Sequence, residues 1–321
     1  MMYMNNDFPE DVHAIHDKIT PYIRKTPLIR SDHFSNMLHC TVYLKLENIQ
    51  YTGSFKVRGA LSKVFSLSKH EKKKSLVTAS GGNHGLGVCY AGNQVDMHTV
   101  VYLPTGTPPM KVQKIKSLGG EVILHGEAWD EANEEAMTQA REKDMIYVHP
   151  FSDEDVMKGQ ATIALEILSE NPDIDMIICS IGGGGLISGI ARYAKAVNPS
   201  IRIYGVETKG ADAMYQSITA DKLIQLPAIT SIAESLGAKR VTEKSFHYVK
   251  HFVDGLCVVT DSQAMETVVE ILQHEKQLVE PAASCNLAAL LTNQIPNCED
   301  KTIAVVLCGG NFPVKELTPY L

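Results

Sequence analysis

Several features are missing from this chain of 321 residues, and each absence removes a class of protein. There is no basic excess: 30 Lys and Arg stand against 37 Asp and Glu, a formal charge of -7, with a pI near 5.9. Nucleic acids and anionic membranes are recognised by clustered Lys and Arg. Neither is expected as a partner, and a small molecule is. There is no C-x-x-C pair, and the seven cysteines (Cys40, Cys89, Cys179, Cys257, Cys285, Cys298 and Cys308) are scattered and odd in number. That suits neither a zinc knuckle nor a disulfide framework, so reduced thiols in a cytoplasmic setting are expected. No basic leader precedes an apolar stretch, and no window approaches eighteen apolar residues, so neither export nor membrane spanning is expected. Repeats and low-complexity tracts are also lacking, which argues against a solenoid. The short run Glu71-Lys72-Lys73-Lys74 reads as a solvated helix end.

What is present is enough apolar material, 44% of residues, for a large core in one large or two medium domains. Collagen-like, disordered and disulfide-scaffold classes are excluded. Short β-branched runs alternate with longer stretches of helical period, the pattern of a mostly parallel sheet with crossover helices. Strands are expected at 42–46, 76–78, 99–103, 122–124, 146–149, 176–180, 202–206 and 303–307, and helices at 110–118, 128–143, 156–169 and 262–273. Gly119 or Gly120 suits a left-handed helix end, and residues 75–150 read as a compact βαβ module.

The 23 glycines matter through their placement. Four glycine-bearing loops fall at strand ends or just before helices, where open α/β sheets put their ligands. They are Thr52-Gly53-Ser54-Phe55-Lys56, Ser80-Gly81-Gly82-Asn83-His84-Gly85, Gly182-Gly183-Gly184-Gly185-Leu186 and Cys308-Gly309-Gly310-Asn311. Without Cβ atoms, four consecutive glycines let backbone N–H groups converge on an anion at a helix N-terminus, and phosphate is the natural occupant. A flexible turn is the bland alternative. G-x-G-x-x-G fails at its sixth position and no P-loop motif occurs, although Glu207 at the next strand's end keeps a nicotinamide site as a rival. Lys56 lies in a polar loop between glycines. A lysine partly desolvated there can form imines and shuttle protons, whereas a lone lysine is usually a surface charge. A phosphate cradle together with an imine-forming lysine is what pyridoxal phosphate requires.

These motifs, with Val279-Glu280-Pro281, stand in the order found in fold-type II pyridoxal-phosphate enzymes. The chain resembles the serine/threonine dehydratase and serine racemase group over nearly its whole length, from about Thr26-Pro27-Leu28 to the last strand. The resemblance implies an α/β fold of two open, mostly parallel twisted sheets with helices on both faces, as in tryptophan synthase β. It also implies a large cofactor-binding domain of residues 1–74 plus 153–321, and a small mobile domain of 75–152 that closes over substrate.

By the same resemblance, Lys56 carries the cofactor and removes the substrate α-proton, with Ser80 as a second catalytic residue. Phe55 lies against the cofactor ring and Asn83 faces its hydroxyl. Gly182, Gly183, Gly184, Gly185 and Leu186 form the phosphate cup, and Glu280 belongs to the cofactor-binding set. Ser80, Gly81, Asn83 and His84 receive the substrate carboxylate, His84 having an ordinary structural role as its alternative. Cys308 takes the place beside the pyridine nitrogen. A neutral thiol there makes the ring a weaker electron sink, which favours prompt β-elimination. Cys308 and the stretch 229–239 are similar to the liver-type serine-dehydratase branch. A racemase of this group has a hydroxyl residue directly after the Ser80 position, where this chain has Gly81.

The implied activity is therefore an ammonia-lyase turning L-serine to pyruvate or L-threonine to 2-oxobutanoate. The alternatives are a serine racemase with side elimination, a β-replacement synthase, and a binding protein that kept the fold and lost the chemistry. A cation site is implied at Glu207, Ala211 and Ala213. Because Ala213 offers no carboxylate, potassium is expected rather than a divalent ion, with Asp212 turned away. A homodimer is implied. Only fourteen residues follow Leu307, too few for an effector domain, so isoleucine feedback is not expected.

Overall fold

Each short apolar run in the sequence becomes a strand, and in a computed structural model describing residues 7–320 the strands assemble into two separate sheets. The ten strands are β1 (Leu28–Ser31), β2 (Thr41–Lys45), β3 (Leu76–Thr78), β4 (Thr99–Leu103), β5 (Glu121–Leu124), β6 (Ile146–Tyr147), β7 (Met176–Ser180), β8 (Arg202–Thr208), β9 (Gly255–Val259) and β10 (Thr302–Val306). The twelve helices are α1 (Phe8–Ile19), α2 (Asp32–Leu38), α3 (Lys56–Ser66), α4 (Asn83–Asn93), α5 (Pro109–Ser117), α6 (Trp129–Glu142), α7 (Glu154–Glu170), α8 (Gly185–Val197), α9 (Ala213–Thr219), α10 (Glu243–Phe252), α11 (Asp261–Glu270) and α12 (Pro281–Leu291).

The large sheet runs β1-β2-β10-β7-β8-β9 and the small one β5-β4-β3-β6. Among the described strands only β1 is antiparallel, to β2. The central strands β7 and β10 are almost wholly buried, as parallel strands covered on both faces must be. The main core is built on the large sheet, and smaller apolar clusters underlie the small one. The two open sheets match the expected fold class. The expected ends of the first domain segment, residues 1–6, and residue 321 lie outside the described residues.

Two strands absent from the sequence expectation are β1 and β9, the two edges of the large sheet. Edge strands bury only part of one face: Arg30 interrupts the apolar run of the first, and the second is only alternately buried although Leu256 to Val259 are all apolar. The strand expected over 146–149 stops at Tyr147, because the amides of Phe151 and Ser152 turn back to donate to His149 Nδ1. The glycine pair after α5 behaves as expected: Gly119 is left-handed (φ +75°). Its N–H reaches the Lys116 carbonyl and that of Gly120 reaches Ile115, completing a Schellman end.

Helix α3, which begins at Lys56, is anchored from inside by charge. Arg58 is fully buried and its guanidinium meets both oxygens of Glu47 (2.8 and 2.8 Å) and both of Glu166 (2.7 and 2.8 Å). Lys45 adds a 2.6 Å contact to Glu166, and Thr26 donates to Glu47 at 2.5 Å. Two positive and two negative charges thus cancel where none could be tolerated alone.

Candidate active site

Parallel strands deliver their carboxyl ends to one side of each sheet, and the loops leaving β3, β7 and β10 meet there. The loops after β3 and β7 line a cleft of about 1360 Å³, whose lining includes Lys56, Ser80, Asn83, Gly183 and Lys244.

Lys56 is the first residue of α3. Two backbone contacts hold its approach: the Phe55 amide donates to the Cys308 carbonyl at 3.0 Å, and Ser54 forms a β-bridge with Gly309. Its Nζ donates to the Pro150 carbonyl at 2.9 Å and lies 5.2 Å from the Phe55 ring centre. Burial pushes its pKa down from the usual lysine range to about 8, against weaker opposing pulls from Cys308 and Glu280. An amine of that kind is available as a nucleophile near neutrality.

The glycines after β7 form a concave turn into α8. Gly184 is left-handed (φ +91°), and a Cβ on Gly183 would fall inside the Phe151 ring. Among the described residues, the N–H groups of Gly182 to Leu186 donate no hydrogen bond. Free amides at the positive end of a thirteen-residue helix make an anion cradle. The same arrangement recurs at α4, where the chain turns sharply after Ser80. There a Cβ on Gly85 would overlap the Ser80 carbonyl, so only glycine allows the turn.

Asn83 joins three loops. Its amide donates to the Glu280 carboxylate at 2.9 and 3.1 Å, while its carbonyl accepts from Asn311 at 2.7 Å. Asn311 also donates to the Thr52 carbonyl at 2.7 Å. Burial raises the pKa of Glu280, partly offset by the Asn83 bond. His84 does not offer its ring freely: Nε2 lies 2.9 Å from the Val148 carbonyl and Nδ1 has no partner. Burial first, then Lys56, lower its pKa to about 3, so it is neutral at physiological pH. Cys308 is buried, accepts from Ser180 Oγ at 3.3 Å, and has its thiol pKa pushed up by burial, which keeps it protonated.

The residues suit a phosphate-bearing aromatic aldehyde. The cradle is built and its amides are free, Lys56 is a depressed-pKa amine, and Cys308 is a neutral group on the loop that backs the Lys56 segment. Residues 19–309 match the family described as pyridoxal-phosphate dependent enzyme. The chain belongs to this family.

The family holds relatives of known activity along almost the whole chain. It is 39% identical to the L-threonine ammonia-lyase of Geobacter sulfurreducens over 302 residues, 94% of this chain and 75% of that one. It is 37% identical to a catabolic L-threonine dehydratase of Staphylococcus aureus over 311 residues, 96% of this chain and 90% of that one. The structure of maize serine racemase superposes with a TM-score of 0.92 at 33% identity, covering 97% of this chain and 95% of the other.

Glu207 lies near the end of β8, Ala213 opens α9 and Ala211 lies in the turn between them. The Glu207 carboxylate accepts from the amides of Met214 (3.1 Å) and Tyr215 (2.6 Å), and burial raises its pKa well above the usual range. Asp212 bonds locally, to the Gly210 amide and the Gln216 side chain. Sequence reasoning overlooked Pro150, Phe151, Ser180 and Ser235. They carry no motif of their own and reach the site only because separate loops converge on it. Asn311 stood inside a recognised motif, but its bonds to two other loops were invisible in it.

Proposed function

We propose that this enzyme is a pyridoxal-phosphate-dependent ammonia-lyase that converts L-threonine and L-serine to 2-oxobutanoate and pyruvate with release of ammonia. The observation that carries this reading is Lys56: a half-buried amine with its pKa lowered to about 8, facing the glycine loops across the cleft. Bound pyridoxal phosphate supplies an electron sink that acidifies the α-hydrogen of an amino acid. The amides of Gly182 to Leu186 would hold its phosphate, and Phe55, Asn83, Glu280 and Cys308 would hold its ring. Lys56 Nζ would hold the cofactor at rest and, once substrate has displaced it, would take the α-proton. The N-terminal amides of α4, with Ser80, Gly81, Asn83 and His84, hold the substrate carboxylate, His84 through its backbone because its ring is engaged by Val148. In the substrate, the Cα–H and Cβ–O bonds break and water leaves. The released enamine hydrolyses to a 2-oxo acid and ammonia. The protonated Cys308 thiol cannot stabilise a positive ring nitrogen as a carboxylate would, which favours rapid loss of the β-hydroxyl.

Racemisation would need a second proton donor on the face away from Lys56. Gly81 offers none, so elimination is the preferred outcome. Residues 75–152 form the mobile part that closes over substrate, a reading supported by the separate sheet and apolar clusters they contain. Two ion pairs span the cleft rim, Lys111 with Glu234 (2.6 Å) and Lys239 with Asp130 (3.0 Å). Potassium near Glu207, with carbonyl oxygens of Ala211 and Ala213, would compensate a buried carboxylate that has amide partners but no ion pair among the described residues. A cytoplasmic homodimer is the assembly we expect. The seven free cysteines support the reducing compartment, and no helix among the described residues is long and apolar enough to cross a membrane.

The test is 2-oxo acid release from L-threonine, L-serine and 3-hydroxyaspartate, with and without potassium, followed by chiral analysis of residual substrate. Wild type should bind pyridoxal phosphate and form 2-oxo acid, and Lys56→Ala should lose both the product and the cofactor's visible absorbance. Full activity in Lys56→Ala would overturn the reading.

A further inference from the structure

The segment Val148-His149-Pro150-Phe151 follows β6 and touches each part of the cleft that the proposed reaction uses. The Val148 carbonyl lies 2.9 Å from His84 Nε2, on the loop assigned to the substrate carboxylate. The Pro150 carbonyl accepts from Lys56 Nζ at 2.9 Å. The Phe151 ring occupies the space that a Cβ on Gly183 of the phosphate cradle would need. His149 stands in the middle of this segment and lines the cleft.

The backbone decides which nitrogen of His149 carries the proton. The amides of Phe151 (3.2 Å) and Ser152 (2.9 Å) both donate to Nδ1. Nδ1 is therefore the bare acceptor, and the hydrogen of the neutral ring sits on Nε2. The ring is neutral at physiological pH, because burial lowers its pKa to about 4, with Lys56 and Lys244 acting in the same direction against Asp153. Edge-on contacts to Phe151 (ring centres 4.6 Å apart) and Tyr147 (6.0 Å) hold the ring plane. Among the described residues the Nε2–H group has no acceptor. A half-buried donor of fixed tautomer and orientation, unpaired in a cleft, is completed by an acceptor on a ligand.

We propose that His149 donates its Nε2–H to the β-oxygen of the amino-acid substrate and so selects and activates the hydroxyl that leaves. The proposal rests on the reading of the cleft as an ammonia-lyase site. In that reading the α-carbon lies against Lys56 Nζ, the carboxylate against the amides that open α4, and the substrate amine at the cofactor. The β-hydroxyl is then the one polar substrate group without a partner, and His149 sits on the segment that joins the fixed points. The rival acceptor is the cofactor phosphate, because Phe151 links the imidazole to the glycine cradle.

His149 gives up no proton. With Nδ1 committed to two amides, loss of the Nε2 hydrogen would leave an anion. The ring acts through a hydrogen bond that strengthens as negative charge builds on the departing oxygen. The atoms balance without it. The Cα–H and Cβ–O bonds break, the Cα–Cβ double bond forms, and the water released consists of the β-hydroxyl and the α-proton that Lys56 removes.

The experiment compares two substrates that end in one product, on cofactor-loaded enzyme. L-serine must lose a hydroxyl, which leaves poorly without a donor, whereas 3-chloro-L-alanine loses chloride, which needs none. Both yield pyruvate, so one assay serves. In His149→Asn the side-chain oxygen still accepts from the amides two and three residues on, which keeps the turn, but the donor at Nε2 is gone. The ratio of kcat for L-serine to kcat for 3-chloro-L-alanine should fall about 10²-fold. His149→Gln, whose amide N–H reaches as far as Nε2, should recover part of that ratio. Cofactor affinity, read by fluorescence titration of the apoprotein, should match wild type in both variants. An unchanged ratio, or an equal loss on the two substrates, would overturn the assignment and leave His149 a structural residue. So would weakened cofactor binding in His149→Asn, which would give the N–H to the phosphate. Wild type that forms pyruvate from neither substrate would instead defeat the ammonia-lyase reading on which the proposal rests.

Discussion

Arg58 offers the sharpest test of how the site is held, because it anchors the helix that begins with Lys56. In Arg58→Met the apolar volume is roughly kept, but four charge-assisted contacts of 2.7–2.8 Å are lost. The two carboxylates fare differently. Glu166 keeps Lys45 at 2.6 Å, whereas Glu47 is left with the Thr26 hydroxyl alone. Breaking a buried pair by removing one partner costs about 3–5 kcal/mol. At about 2 °C per kcal/mol for a chain of this size, the melting temperature should fall by roughly 6–10 °C. The sign with pH follows from the same charges. In wild type, Arg58 and Lys45 overcome burial and hold the Glu166 carboxyl well below the usual carboxylate range. Its contribution is therefore fully present above the unfolded value of about 4.3 and is lost as pH falls towards the folded one. In the variant a stranded buried carboxyl takes up a proton instead, so the gap to wild type should narrow as pH falls from 7 to 5. Adding Glu47→Gln to Arg58→Met should recover about 1 kcal/mol or more. Melting by circular dichroism at several pH values, on cofactor-loaded protein, measures all of this. An Arg58→Met variant melting within 2 °C of wild type, or a further loss on adding Glu47→Gln, would refute the account.

Three other outcomes are expected. Gly81→Ser puts a hydroxyl at the position that lacks a proton donor. Its Cβ would be tight only against the flexible end of Leu103 at 3.2 Å, with Thr107 at an ordinary 3.6 Å, so D-serine should accumulate from L-serine, and chiral chromatography detects it. If no D-isomer forms, residue 81 does not decide the reaction. Gly183→Ala should weaken cofactor binding about tenfold or more, equivalent to about 1.4 kcal/mol, because its methyl would overlap Phe151. Adding Phe151→Ala should restore part of that affinity in a fluorescence titration. Cofactor uptake by apoprotein requires Lys56 uncharged, and its pKa of about 8 leaves roughly 10% neutral at pH 7, against roughly 0.04% for an ordinary lysine. The stopped-flow rate should thus rise with pH and reach half its limit near 8, and a midpoint near 10 would show that burial does not activate this amine.

Local signals were the most legible. Tetraglycine after a β-branched run, a lysine inside a glycine-flanked loop and the Gly-Gly end of α5 are all specified within a few residues of themselves, since backbone freedom and helix ends are local properties. The buried central strands were likewise readable, because burial on both faces demands an unbroken apolar run. The edges β1 and β9 were not, because half-buried strands need only half a pattern.

By itself, then, the sequence determined which loops could cradle an anion, which lysine could become a nucleophile, and that Gly81 brings no proton donor. Tertiary structure decided the rest. Only folding sets Asn83 between Glu280 and Asn311, residues 197 and 228 positions away, and turns the His84 ring onto the Val148 carbonyl. It also lowers the Lys56 pKa by burial and gathers Arg58, Lys45, Glu47 and Glu166 into one neutral cluster. Desolvation and charge pairing depend on what surrounds a group in space, and neighbours in space are not neighbours in sequence.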